Sequence, residues 1–132
     1  MKDILIRTRS GVYEAELDDS DISNEIWLAL PFSSYVNMLG DEIFFEFPLS
    51  SEISEKNRVT ILDKGDIAYW PKAGAFCIFF GPTPLSKDDE RPVSRYPVIK
   101  IGELKGEFDS LEYAGDRQKI IIEPVYMNDH NL

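Results

Sequence analysis

Two aromatic side chains and one carboxylate hold most of the chemical promise of this chain. Tyr69-Trp70-Pro71 sets two large rings with polar handles side by side, and on a strand successive side chains point to opposite faces. One can enter a core while the other lines a groove, a setting that suits an aromatic ring with a donor at its edge. Glu42 and Glu46 project from the same face of one strand, roughly 13 Å apart. That is too wide for the paired carboxylates of a retaining glycosidase, which stand ~5 Å apart. Glu46 reads as a solvated outer-face residue. Glu42 reads either the same way or as the anchor for a cationic or hydroxyl-bearing ligand.

Other reactive residue types lack the company that catalysis requires. Cys77 is the only cysteine and sits in Phe76-Cys77-Ile78-Phe79-Phe80, apolar on both faces, where a buried small residue is expected. A nucleophilic thiol wants a neighbouring base or positive charge, and none stands near it in sequence. The sole histidine, His130, lies close to the C-terminus with no Cys/His cluster around it, so neither a metal site nor a cofactor is expected, and no catalytic residue is assigned. Asp66, following Gly65, reads as a residue that fixes a turn. Gly81-Pro82-Thr83-Pro84 is a stiff segment able to rim a pocket floored by Trp70 and Phe44, with the Thr83 hydroxyl as a polar contact. It is no phosphate loop, having neither a Lys-Ser/Thr pair nor a following helix. Arg91 and Arg95, in a polar loop expected over Lys87 to Tyr96, are the cations able to meet an anionic ligand at that rim.

The elements that must position these groups are mostly strands. Ile4–Thr8 and Val12–Leu17 flank Ser10-Gly11, a hairpin signal, and the second strand alternates Val12, Glu14 and Glu16 with Tyr13, Ala15 and Leu17. Asp18, Asp19, Ser20 and Asp21 offer N-caps for a helix near Ile22 to Leu30, which Pro31 ends. In Glu42 to Phe47, residues Ile43, Phe45 and Phe47 share one face and Glu42, Phe44 and Glu46 the other. Further strands are expected at Val59–Leu62, Asp66–Trp70, Ala75–Phe80, Val98–Ile101 and Lys119–Pro124, with a short helix or turn over Glu107 to Tyr113. Many short strands with at most two helices suggest a closed barrel.

Composition bounds the partners. Against 14 basic residues stand 24 acidic ones, a net charge of −10 spread without a long acidic block. Such a chain repels phosphate backbones and anionic lipid, so neither nucleic acid nor a membrane is an expected partner. A lone cysteine, no signal-like N-terminus and no apolar run near the ~20 residues of a membrane span point to the cytoplasm. Residues 1–126 read as one domain and 127–132 as a flexible C-terminal tail.

Pro31-Phe32, Val36-Asn37, Gly40-Asp41-Glu42-Ile43-Phe44-Phe45 and the stretch from Gly65 to Pro84 carry a resemblance. Across Leu28 to Ile101 the chain is similar to the small prokaryotic cyclophilin-like proteins, a family of largely unassigned function. The resemblance implies a mainly β fold: a closed antiparallel eight-stranded barrel with one capping helix and one short helix or turn. One departure bears on activity. Cyclophilins that isomerise prolyl peptides carry an arginine after Phe-His on a central strand, where it polarises the amide nitrogen. The comparable strand here, Glu42 to Phe47, has neither arginine nor histidine.

The expected function is therefore binding of a small molecule or short peptide, without efficient prolyl isomerisation. The expected groove is lined by Phe44, Tyr69, Trp70 and Phe80, with Glu42 and Thr83 as polar contacts. Two alternatives are a divergent prolyl isomerase, which would need Arg91 or Arg95 to fold over the groove, and a non-catalytic subunit or interaction module with a protein partner or a second copy of itself.

Overall fold

The computed structural model describes residues 2–50, 52–54 and 56–126; the tail expected at 127–132, His130 included, lies outside them. The N-terminal hairpin pairs β1 (Lys2–Thr8) with β2 (Gly11–Leu17) from Lys2 opposite Leu17 to Thr8 opposite Gly11. Its alternation is as expected, Tyr13, Ala15 and Leu17 buried and Val12 and Glu14 exposed. Helix α1 (Asp21–Leu28) starts at Ser20, whose hydroxyl accepts the Ser23 N–H at 3.2 Å, and it stops short of Pro31.

Two strands that the sequence reading does not contain follow the helix, β3 (Phe32–Tyr35) and β4 (Asn37–Leu39). After them come β5 (Glu42–Glu46), β6 (Arg58–Ile61), β7 (Asp66–Trp70), β8 (Ala75–Phe79), β9 (Val93–Lys105), a 3₁₀ turn (Asp109–Tyr113) and β10 (Lys119–Pro124). All register antiparallel in one sheet of order β3-β10-β1-β2-β9-β7-β8-β5-β4, with β6 paired to β9 off this path.

This corrects the expected closed, eight-stranded barrel: the sheet has ten strands and its ladder does not close. Its end strands, β3 and β4, pair with β10 and β5 and are consecutive in the chain, separated by Val36 alone. Val36 is still bound on the β10 side, donating to the Gln118 carbonyl at 2.8 Å and accepting from Arg117 N–H at 2.7 Å. The segment therefore serves both ends of the sheet in turn instead of lying as one strand between two neighbours. Across this seam Phe32 stacks on Phe47 at 4.1 Å and on Phe45 at 6.4 Å.

A second correction concerns Val93 to Tyr96, expected as part of a polar loop. These residues open β9, which runs thirteen residues. Pro97 lies within it, tolerated because not every backbone N–H of a bent strand feeds a ladder. Farther along, the register against β7 shifts between Ile67 and Ala68, placing a bulge at Ile101. Gly102 sits beside it because a side chain there would collide with the Glu16 carbonyl of β2, 2.2 Å from where its Cβ would stand.

The strands enclose a main core on the inner face, including Ile4, Ile6, Ile43, Phe45, Phe47, Ile67, Tyr69, Phe76, Ile78 and Ile101. A second, smaller apolar cluster covers the outer face: Leu62, Ala68, Ala75, Cys77, Phe79 and Val98, with Phe44 and Trp70 packed against it. No helix among the described residues is long and apolar enough to cross a membrane.

Candidate binding pocket on the outer face of the sheet

β5 lies beside β8, and β8 beside β7, in a register that makes rows across the outer face. One row runs Glu42, Phe79, Asp66; the next begins Phe44, Cys77, Ala68. Trp70 faces the same way, two residues beyond Ala68. The two-residue loop Gly40-Asp41, with Gly40 at a φ of +57°, sets Leu39 directly opposite Glu42. Gly40 is required twice over, since a Cβ there would also lie 2.9 Å from the Pro84 ring. The leading end of β9 supplies the remaining wall.

The result is a cavity of about 190 Å³ lined by Leu39, Glu42, Phe44, Trp70, Ser94, Arg95 and Tyr96. Tyr96 stacks nearly parallel on Trp70, ring centroids 5.1 Å apart, and Phe44 meets Trp70 edge-on at 6.2 Å. The Ser94 hydroxyl donates to the Tyr96 carbonyl at 2.7 Å, which ties the wall to itself. Two polar groups in this pocket are unanswered. Trp70 Nε1 is buried with no hydrogen-bond acceptor among the described residues. Glu42 is 5% exposed, and its side chain makes no hydrogen bond or ion pair with any described residue. Burial pushes its carboxyl up to about 7, so at neutral pH it is divided between acid and carboxylate.

Its row-mate Asp66 is as deeply buried yet fully engaged. It accepts the Asp63 N–H at 2.8 Å and pairs with Lys100 at 3.1 Å. Asp66 thus holds a turn, as expected of it. The Cys77 thiol is held well above its ordinary range, first by burial and then by the nearby Glu42 charge, so it stays a thiol.

Of the six residues expected to form a groove, Glu42, Phe44 and Trp70 converge. The other three stand elsewhere. Tyr69 alternates with Trp70 onto the inner face, where it is 1% exposed and its hydroxyl donates to the Phe47 carbonyl at 2.7 Å. Burial raises that phenol to about 12. Phe80 is buried in the main core. The Thr83 hydroxyl donates to the Val93 carbonyl at 2.6 Å and accepts the Val93 N–H at 3.3 Å. It pins the start of β9, and with it the wall that ends in Tyr96. Tyr96, Ser94 and Leu39 are the pocket residues that sequence reasoning missed. The available signal was alternation through Pro97, which puts Ser94, Tyr96 and Val98 on one side of a strand.

A larger groove of about 690 Å³ shares Trp70 and Tyr96 and reaches Leu49, Ile53 and Lys72. It contains no buried charged residue among those described.

The fold finds its match among known proteins. The cyclophilin-like family matches residues 2–123, nearly the whole chain. The chain belongs to the cyclophilin-like family. The solution structure of a hypothetical protein from Archaeoglobus fulgidus is 34% identical to this cyclophilin-like chain, covers 94% of it and 95% of its own length, and superposes with a TM-score of 0.77. No curated protein matches. Both likenesses fix the architecture that carries Glu42 and Trp70, while the pocket's chemistry is read from its own side chains.

Proposed function

We propose that this cyclophilin-like domain binds a small organic molecule in the outer-face pocket of Glu42, Phe44, Trp70 and Tyr96. The observation that supports the reading is Glu42 itself, a buried carboxyl without a side-chain partner among the described residues, lining a cavity walled by aromatic rings. Buried charged groups are ordinarily paired, and an unpaired one in a cleft is a functional-site signal. Aromatic walls with a few convergent polar groups are what small-molecule sites are made of. The test is a nitrogen-15 NMR screen of amine, amide and alcohol fragments against the whole chain. Binders should move the Trp70 indole and the amides of 94–96, and Trp70→Ala should abolish their binding. Hits that map elsewhere, or that survive Trp70→Ala, would place the site wrongly.

Prolyl isomerisation is a second reading that one observation favours. Arg95 lines the pocket, whereas Arg91 is committed to Asp63 at 3.0 Å. On this reading Arg95 would stand in for the arginine missing from β5. Exchange spectroscopy on an Ala-Pro peptide decides this. Uncatalysed isomerisation takes tens of seconds or longer, so subsecond exchange that Arg95→Ala removes would establish catalysis. Exchange at the uncatalysed rate would end the isomerase reading.

A further inference from the structure

We propose that the pocket's ligand is a small zwitterion, its ammonium seated against Glu42 at the floor and its carboxylate against Arg95 at the mouth. The inference rests on the pocket reading above and adds the chemical class. Glu42 and Arg95 both line one cavity of about 190 Å³, yet no ion pair joins their side chains. Neither side chain has a hydrogen bond or salt bridge to any other described residue. They are also unequal in depth: Glu42 is buried on β5, and Arg95 is exposed on the leading end of β9.

The side chains between them favour one orientation. The rings of Phe44, Trp70 and Tyr96 surround the approach to Glu42, and aromatic faces attract an ammonium, the more so when water is excluded. At the mouth, a guanidinium offers the planar fork that matches a carboxylate. A simple cation would meet Glu42 well and be repelled by Arg95. A simple anion would do the reverse. Only a ligand with both charges answers both ends. Size narrows the class further, because the cavity falls below the ~300 Å³ at which ordinary ligand sites begin. A compact amino acid fits that volume better than a peptide.

Matched probes test this directly: glycine, β-alanine and γ-aminobutyrate, each beside its decarboxylated amine and its deaminated acid. NMR titrations at neutral pH would follow the Trp70 indole and the amides of 94–96 in the full chain. At least one zwitterion should bind about tenfold or more tightly than both its amine and its acid. Arg95→Ala, an exposed substitution, should reduce that zwitterion to the affinity of its amine. Glu42→Gln should weaken it by about tenfold or more, with an otherwise unchanged spectrum confirming the fold. An amine that binds as tightly as its zwitterion, or an Arg95→Ala variant that binds the zwitterion unchanged, would overturn the zwitterion and leave the pocket reading standing. No shift from any probe would overturn it as well, and the pocket reading would then be judged by the wider fragment screen.

Discussion

The two faces of β5 put the same strand to opposite uses. On the inner face Ile43 and Phe45, with Phe47 just beyond the strand, are sealed among Tyr69 and Phe76, and the polar group beside them, the Tyr69 hydroxyl, finds the Phe47 carbonyl. On the outer face Glu42 is buried too, at 5% exposure, yet among the described residues its side chain has no hydrogen-bond or ion-pair partner, and the neighbouring Trp70 Nε1 is buried without an acceptor. Burial alone therefore does not make a core. A core answers its polar groups, whereas this outer face leaves two unanswered beside a cavity, as a site prepared for something else would.

The contrast can be broken most severely from the inside. Phe45→Ala should cost about 3–5 kcal/mol, because the stacked rings of Phe32 and Phe76 cannot collapse into the space. Chemical denaturation measures it; a loss below ~2 kcal/mol would mean that the inner face repacks easily.

Next comes the pH dependence of Glu42. Its folded value of about 7 exceeds the ordinary 4.5, so the folded chain retains a proton that the unfolded chain releases. The stability this provides is complete below the unfolded value and is lost as pH rises through about 7. Glu42→Gln removes the titration, so its stability relative to the parent should improve by about 3 kcal/mol between roughly pH 4.5 and roughly pH 8.5. Parallel stability profiles for the two proteins would show that Glu42 is solvated after all.

Tyr69→Phe should cost less, about 1–2 kcal/mol, by stranding the Phe47 carbonyl. Trp70→Phe should cost least, within ~1 kcal/mol, since it trades some ring contact for removal of an unsatisfied N–H. If the order of these two reversed, the inner face would be the one with polar groups unanswered.

Much of this arrangement was legible in the sequence. Alternation alone separated Ile43, Phe45 and Phe47 from Glu42, Phe44 and Glu46, and the glycine-flanked aromatic strands carried the family likeness. Whether Tyr69 or Trp70 faced outward depended on a register that a one-residue slip reverses. The burial of Glu42 was not legible, because alternation marks an outward glutamate as wet unless something covers it. What covers it is the leading end of β9, whose Ser94, Arg95 and Tyr96 look like loop when polar residues precede Pro97. β3 and β4 were missed for a related reason, as Ser33-Ser34 and the nearby Pro31 carry little strand signal. Their strand state comes from pairing with β10 and β5, a tertiary override of weak local preference.

The junction at Val36 ties the pocket to the opposite end of the sheet's strand order. Because one short segment pairs with β10 before it and β5 after it, sliding that segment would break both ladders at once. It works as a ruler laid across the seam, zeroed at the Phe32–Ile122 pair and read at Leu39 opposite Glu42. The alignment of the pocket floor is thus calibrated by β10, near the opposite end of the sheet's order.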